Sequence, residues 1–272
     1  MLTSRSLVLV AFLAAASSSG LHAQASTEDL PTGDEVAQHI NARDEGQWVS
    51  RTLRMEMIDR RGGRRVRETR GFRRYYGDEK RTVIFYESPA NVKGTGFLTF
   101  DYRDRDKDDD QWLYLPALRR VRRISASDRG DYFLGTDFTY EDIKLETKVG
   151  LDDYTRRTIG RDTLDGHEVY VVEETPVDED TAKELGYSRV VRYVDAEIWM
   201  TRKVEMWDIR GNQLKTIHIS DIREVQGIWT AHRMEVENHK TGHRTIFTFA
   251  DVDYETGVPD DVFTQRALRR GR

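Results

Sequence analysis

No cysteine occurs in the 272 residues of the chain. Disulfide staples, thiol nucleophiles and lipid attachment through an N-terminal cysteine are thereby excluded, so a folded state must rest on its own core. Long apolar runs are missing as well. The most apolar stretch, Leu7 to Ala16, ends at Ser17-Ser18-Ser19-Gly20, short of the roughly 18 residues a membrane-spanning helix requires. There are five prolines and neither a Pro/Ser-rich linker nor an internal repeat, so nothing marks a second domain. The usual catalytic signatures are absent too. There is no G-x-S-x-G elbow, and Gly94-Thr95-Gly96 is too short, and wrongly set, for a phosphate loop. A formal net charge of −5 gives no electrostatic footprint for nucleic acid.

What is present begins with an address. Arg5 precedes the apolar run, and Ala23 and Ala25 frame a small-residue cleavage site, which predicts a secretory signal over residues 1–25. Its removal leaves residues 26–272 as one domain with a net charge of −6. The expected location is the periplasm, in a form that is soluble and not itself lipidated.

Helical signals are few. Thr32 and Glu35 form a candidate capping box behind Pro31, and Val36 and Ile40 share one face, so a helix is predicted within Asp29 to Asp44. After Trp48 the period falls to two. Leu53, Met55 and Met57 alternate with Thr52, Arg54 and Glu56, the pattern of a half-buried strand. Similar strands recur between turn signals at Arg61-Gly62-Gly63, Gly77-Asp78, Asp165-Gly166, Arg210-Gly211-Asn212, Gln226-Gly227 and Lys240-Thr241-Gly242. Counting the runs predicts a mainly β (α+β) chain with an antiparallel meander of about ten or eleven strands, large enough to curl or close. Ser125 to Ile143 and Val177 to Gly186 interrupt it as loops or short helices.

Few residues read as chemistry. His239 and His243 flank a turn, with His232 on the preceding strand, but no third ligand is legible at fixed geometry and no metal is expected. Asp104 to Asp110 starts like a calcium loop, yet Asp109 and Leu115 stand where Gly and Glu are required, so a solvated hairpin tip is expected. In Arg119-Arg120-Val121-Arg122-Arg123, alternation puts Arg120 and Arg122 on one strand face. They are candidates for a patch that meets anionic headgroups or a partner.

Three blocks carry a likeness to a known family: KGTGFLTFDY at Lys93 to Tyr102, WLYLPALRRVRRI at Trp112 to Ile124, and DYFLGTDFTYEDI at Asp131 to Ile143. Weaker matches follow at Leu164 to Pro176, Gly227 to Asn238 and Gly257 to Phe263. Together they resemble the periplasmic outer-membrane lipoprotein-sorting family, the LolA-like carriers. The resemblance implies a single strongly curved sheet, a half-open barrel, with two or three short helices over its concave face. It also implies a non-catalytic, cofactor-free carrier of lipid or acylated protein. Its partners would be that cargo, an inner-membrane exporter, often of the resistance-nodulation-division type, and the membrane in transient contact.

Such a job sets a physical requirement. Each exposed methylene costs about 0.8 kcal/mol, so one long acyl chain in water costs on the order of 10 kcal/mol and demands an apolar cleft. The cleft candidates are Val36, Ile40, Leu53, Met55, Met57, Leu98, Phe100, Tyr102, Trp112, Tyr114, Met234 and Val236, with methionines adapting to variable shapes. Phe133, Leu134 and Phe138, in a segment with Gly130 and Gly135, are candidates for a moving lid. The alternative is a non-catalytic envelope binding or assembly module whose core is filled.

Overall fold

A computed structural model describes residues 30–102, 107 and 109–271. The anticipated signal over residues 1–25 lies outside the described residues, as do residues 104–106 and 108 of the acidic run. The first helix, α1 (Gly33–Ala42), starts at the foreseen capping box. Glu35 N–H donates to Thr32 Oγ1 at 3.2 Å, and Thr32 N–H donates to Glu35 Oε2 at 2.7 Å, which satisfies two of the amides a helix start leaves orphaned.

Thirteen strands follow: β1 (Trp48–Ile58), β2 (Arg64–Tyr76), β3 (Glu79–Ser88), β4 (Gly96–Asp101), β5 (Asp110–Leu115), β6 (Arg120–Ile124), β7 (Tyr154–Leu164), β8 (His167–Pro176), β9 (Tyr187–Asp195), β10 (Thr201–Asp208), β11 (Gln213–Val225), β12 (Ile228–Asn238) and β13 (His243–Asp253). All neighbours are antiparallel, in the order β6-β5-β4-β3-β2-β1-β13-β12-β11-β10-β9-β8-β7. Two meanders, one from each half of the chain, are thus sewn together where β1 pairs with β13. Among the described residues the sheet is not closed, and β6 and β7 are its two free edges.

The count of thirteen corrects the expected ten or eleven, and two joints explain the difference. Between β9 and β10 the turn Ala196 to Met200 contains neither Gly nor Pro. Instead the Asp195 carboxylate accepts from Glu197 N–H (2.9 Å) and Ile198 N–H (3.0 Å), while Trp199 takes a left-handed φ of 56°, a side-chain-built turn with a weak sequence signal. Between β5 and β6, Pro116–Leu118 forms one 3-10 turn, closed by Arg119 at φ 48°.

Three further helices are short: α2 (Tyr140–Leu145), α3 (Glu179–Leu185) and α4 (Gln265–Arg270). Direct cross-strand partners share a face, which separates the cores. The concave face carries Leu53, Met55, Ile84, Phe97, Leu113, Ile217, Ile219, Met234, Val236 and Phe247 in one cluster. The convex face of β2 to β6 carries a second cluster, Val83, Phe85 and Leu98, under Phe263 and Leu268. Helix α4 therefore lies on the outside of the sheet, where no helix was expected. A third cluster holds α1 against Val172 and Val194.

Candidate functional site

The topology forces one segment across the open side of the sheet. The chain leaves edge strand β6 at Ile124 and re-enters at the opposite edge with Tyr154, so residues 125–153 form a strap over the concave face. Within it, Tyr132 and Thr139 pair as an isolated bridge, and Phe133 N–H donates to the Phe138 carbonyl at 2.7 Å. Leu134 (φ 48°) and Gly135 (φ 78°) reverse the chain at the tip through consecutive left-handed residues, a geometry in which glycine removes the Cβ penalty. Thr139 and Asp142 then form a second capping box, which starts α2.

This loop points two rings into the sheet. Phe133 is 0% exposed and meets Phe97 edge-on at 5.1 Å, while Phe138 stacks on Phe247 at 4.2 Å. Tyr140 and Ile143 complete the insertion. Full burial of each such side chain contributes about 1.5–3 kcal/mol.

Polar contacts fasten the strap to β2, β11, β12 and β13. Lys215 of β11, 0% exposed, donates to Asp142 Oδ2 at 2.6 Å and to the Asp137 carbonyl at 3.2 Å. Thr245 Oγ1 of β13 donates to Asp137 Oδ2 at 2.7 Å, and Asn238 of β12 donates to Asp137 Oδ1 at 3.1 Å and to the Tyr132 hydroxyl at 2.9 Å. Arg67 of β2 donates to the Leu134 carbonyl at 2.6 Å. Buried ion pairs of this kind add little net stability but are costly to break on one side only.

With the strap in place the concave face holds little space. Hollows of about 60 Å³ and about 30 Å³ lie beneath it, and Met234 borders both. Neither approaches the 300–1,000 Å³ typical of ligand pockets. A larger cavity of about 810 Å³ lies on the other side of α2, between the strap, α1 and the β2–β3 turn. Its walls mix polar and apolar surface in similar parts, and the charged Lys80, Asp101, Arg129, Glu141, Lys144 and Lys148 are among them. Glu141, Leu145, Lys148, Val149, Gly150 and Asp153 border both this chamber and the 60 Å³ hollow. The strap is therefore the partition between a charge-bearing chamber and a more apolar hollow.

Charges buried at the partition are strongly coupled. Burial pushes the Glu45 carboxyl up, but Arg73, Lys148 and Lys80 outweigh it and hold the group well below the usual carboxylate range. Burial pulls Lys148 down to about 8 despite the opposing pull of Glu45. Burial also raises the Glu141 carboxyl, only partly offset by Lys144, whose Nζ lies 2.9 Å away, and by Arg129. Glu146, at φ 56° and ψ −103°, pairs with Arg51 and with Arg73 at 3.5 Å.

The candidate residues fall in several places. Leu53, Met55, Met234 and Val236 lie in the concave cluster, and Met57 follows on the same side of β1 by alternation, buried opposite Thr245. Phe133 and Phe138 are inserted as described, and Leu134 packs half-buried against the same cluster. Val36 and Ile40 instead seat α1 on β8 and β9. Leu98, Phe100, Trp112 and Tyr114 are a correction, because they occupy the convex face beneath the C-terminal segment. Tyr102, just past the end of β4, borders the charge-bearing chamber with its hydroxyl 3.0 Å from Asp110. Arg120 and Arg122 pair with Leu115 and Leu113 and so flank the concave side of β6, exposed.

The concave residues that sequence pattern does not single out include Phe97 and Leu113, chain neighbours of Leu98 and Trp112. In β4 both faces are buried, so no alternation in GFLTFD tells inside from outside. Of the histidines, His232 Nδ1 lies 3.2 Å from the Asp221 and Thr230 carbonyls and His239 Nε2 lies 2.8 Å from Thr216 Oγ1. Among the described residues no group of three or more His, Cys, Asp or Glu is placed to hold a metal. Asp109, at the root of the acidic hairpin, accepts from Lys144 Nζ at 2.6 Å and so ties that hairpin to the strap.

A family model described only as an uncharacterized protein matches residues 78–270. Among solved structures, a domain from Vibrio parahaemolyticus named for outer membrane lipoprotein sorting is 32% identical, with a TM-score of 0.79 over 88% of this chain and 98% of its own. The chain belongs to the outer-membrane lipoprotein-sorting family. A DUF1329 family protein from Desulfovibrio piger is 29% identical, with a TM-score of 0.79 over 87% of this chain and 97% of that one. A LolA superfamily protein from Nitrosomonas europaea shares the fold at 19% identity, with a TM-score of 0.65 over 88% of this chain and all of that one. No curated protein matches the sequence. Family membership fits the open, curved sheet.

Proposed function

We propose that this chain is a periplasmic carrier that takes up the acyl chains of a lipid or lipoprotein and carries them from an inner-membrane exporter toward the outer membrane. The exporter type suggested by the family likeness is resistance-nodulation-division. The observation that carries the proposal is the strap: the place for acyl chains is filled by Phe133, Phe138, Tyr140 and Ile143, side chains that belong to a connection and not to the sheet. Loading is then an exchange. Withdrawing four apolar side chains costs about 1.5–3 kcal/mol each, while burying one acyl chain returns on the order of 10 kcal/mol. The two are of similar size, which suits cargo that must also be released. Methionines Met55, Met206 and Met234, on the concave wall that the strap covers, would repack around chains of different shape. Lifting the strap also joins the charge-bearing chamber to the more apolar hollow, leaving a cleft for an amphiphile. No step of this cycle needs a catalytic group.

The small size of the apolar hollows favours a second reading, a binding or assembly module whose strap never leaves. Native mass spectrometry of protein isolated from its own envelope separates the two. The carrier predicts a population with an added mass of lipid size; an entirely bare protein, with none released by organic solvent, supports the module.

A further inference from the structure

One corner of the molecule concentrates unopposed positive charge around a projecting leucine. Leu118, in the β5–β6 turn, is 64% exposed, the highest value for a large apolar side chain among the described residues. Arg119 and Arg120 follow it directly, and Lys93 in the β3–β4 loop stands alongside, all exposed. Helix α4 packs on β4, β5 and β6 and brings Arg269 and Arg270 to the same corner. The contact is close: a methyl group placed on Gly94 would lie 3.4 Å from Pro116 Cγ, and one placed on Gly271 would lie 3.6 Å from Gly94 Cα. Arg122 and Arg123 have carboxylate partners, Asp128 at 3.5 Å and Asp110 at 2.7 Å. Lys93, Arg119, Arg120, Arg269 and Arg270 have no ion-pair partner among the described residues.

We propose that this corner docks the protein on an anionic bilayer surface, with the cations at headgroup level and Leu118 entering the acyl boundary. Three observations select that occupant. The chain as a whole is acidic, at −5, so an unpaired cluster of cations is a local feature and not a general surface property. A single apolar tip ringed by arginines matches the headgroup boundary of a membrane, whereas a protein partner would be met by a wider apolar centre. The patch also sits at the start of β6, the edge strand that forms one lip of the opening and from whose other end the strap departs at residue 125. Guarding an edge strand with charge would explain Arg120 and Arg122 alone. It does not call for arginines from α4 or for an exposed leucine. The docking surface is independent of what the cleft carries.

Flotation of the full chain with vesicles of equimolar phosphatidylglycerol and phosphatidylcholine tests it, with phosphatidylcholine vesicles as the neutral control. The expected result is binding to the anionic vesicles only, weakened by salt and lowered roughly fivefold for each cation removed in the series Arg120→Gln, Arg269→Gln and Arg270→Gln. Leu118→Ser should lower binding further without changing its salt dependence. These side chains are exposed, so the variants should fold, and unchanged thermal unfolding verifies it. Equal binding to both vesicles, no binding to either, or variants indistinguishable from the parent overturns the proposal. A protein that carries lipid but ignores vesicles would sink the docking surface and leave the carrier standing, and the converse result would do the reverse.

Discussion

Replacing Lys215 by Met asks whether the strap is a separate opening unit. The ammonium is 0% exposed and spans two bodies, since Lys215 belongs to the sheet and its partners Asp142 and Asp137 belong to the strap. Met keeps much of the side-chain volume but leaves the Asp142 carboxylate without its cation in the closed state. Breaking a buried pair on one side costs about 3–5 kcal/mol. When the strap lifts, Asp142 meets water and the penalty vanishes, so the whole cost falls on closure. The open population should rise on the order of a hundred- to a few thousandfold, at 1.4 kcal/mol per factor of ten. Hydrogen exchange read by mass spectrometry should show strap amides from residues 125–146 exchanging faster by at least two orders of magnitude, while β11, β12 and β13 keep most of their protection. Lys215→Met combined with Asp142→Asn should recover part of the loss, because an amide is cheaper to bury than an unpaired carboxylate. If strap and sheet lose protection together, the strap is a permanent part of the core and the exchange mechanism is wrong.

Two further outcomes follow from the same geometry. Lys148 has its pKa lowered to about 8 by burial at the strap, against about 10.4 once released into water. Between these values the open form binds more protons, so raising the pH through that window should favour closure by about 1.4 kcal/mol per pH unit. Uptake of a fluorescent fatty acid should therefore fall from pH 8 to pH 10 in the parent and stay flat in Lys148→Met; a rise, or the same fall in both, contradicts the assignment. The two sheet faces should also respond differently. Met234→Trp, which fills the concave hollows, should lower the lipid bound per molecule. Trp112→Ala on the convex face should cost about 3 kcal/mol in urea unfolding yet leave the lipid load of the folded protein unchanged. The opposite pattern would reverse the face assignment.

How far the fold could be read in advance depended on whether the signal was local. Thr32 with Glu35, and the glycine turns at 62–63, 166, 211, 227 and 242, are short-range chemistry and all sit where the turn rules place them. The turn at Ala196 to Met200 escaped because a side chain, Asp195, supplies what glycine supplies elsewhere. The face of β4 and β5 was misread for a different reason. Phe97 and Leu98 are both fully buried, and the sheet is covered on its convex side by α4, a six-residue Arg-rich helix with little amphipathic signature. The strap was visible as a glycine-bearing apolar segment, but its fastening was not. Lys215 and Asp142, or Glu45 and Arg73, look like surface charges in the sequence, and only the fold brings each pair together out of water.

The central claim is that acyl chains take the place of the strap, and the absence of cysteine makes one measurement of it clean. Asp137 and Thr245 touch across the strap and β13, with Oγ1 2.7 Å from Oδ2, so cysteines at both positions can lock the strap shut. Lipid bound by the oxidised and reduced forms of Asp137→Cys/Thr245→Cys should then be compared by native mass spectrometry after incubation with a long-chain fatty acid. The account predicts a bare oxidised protein and a loaded reduced one. Equal loading of the two forms would show that cargo never needs the space the strap fills.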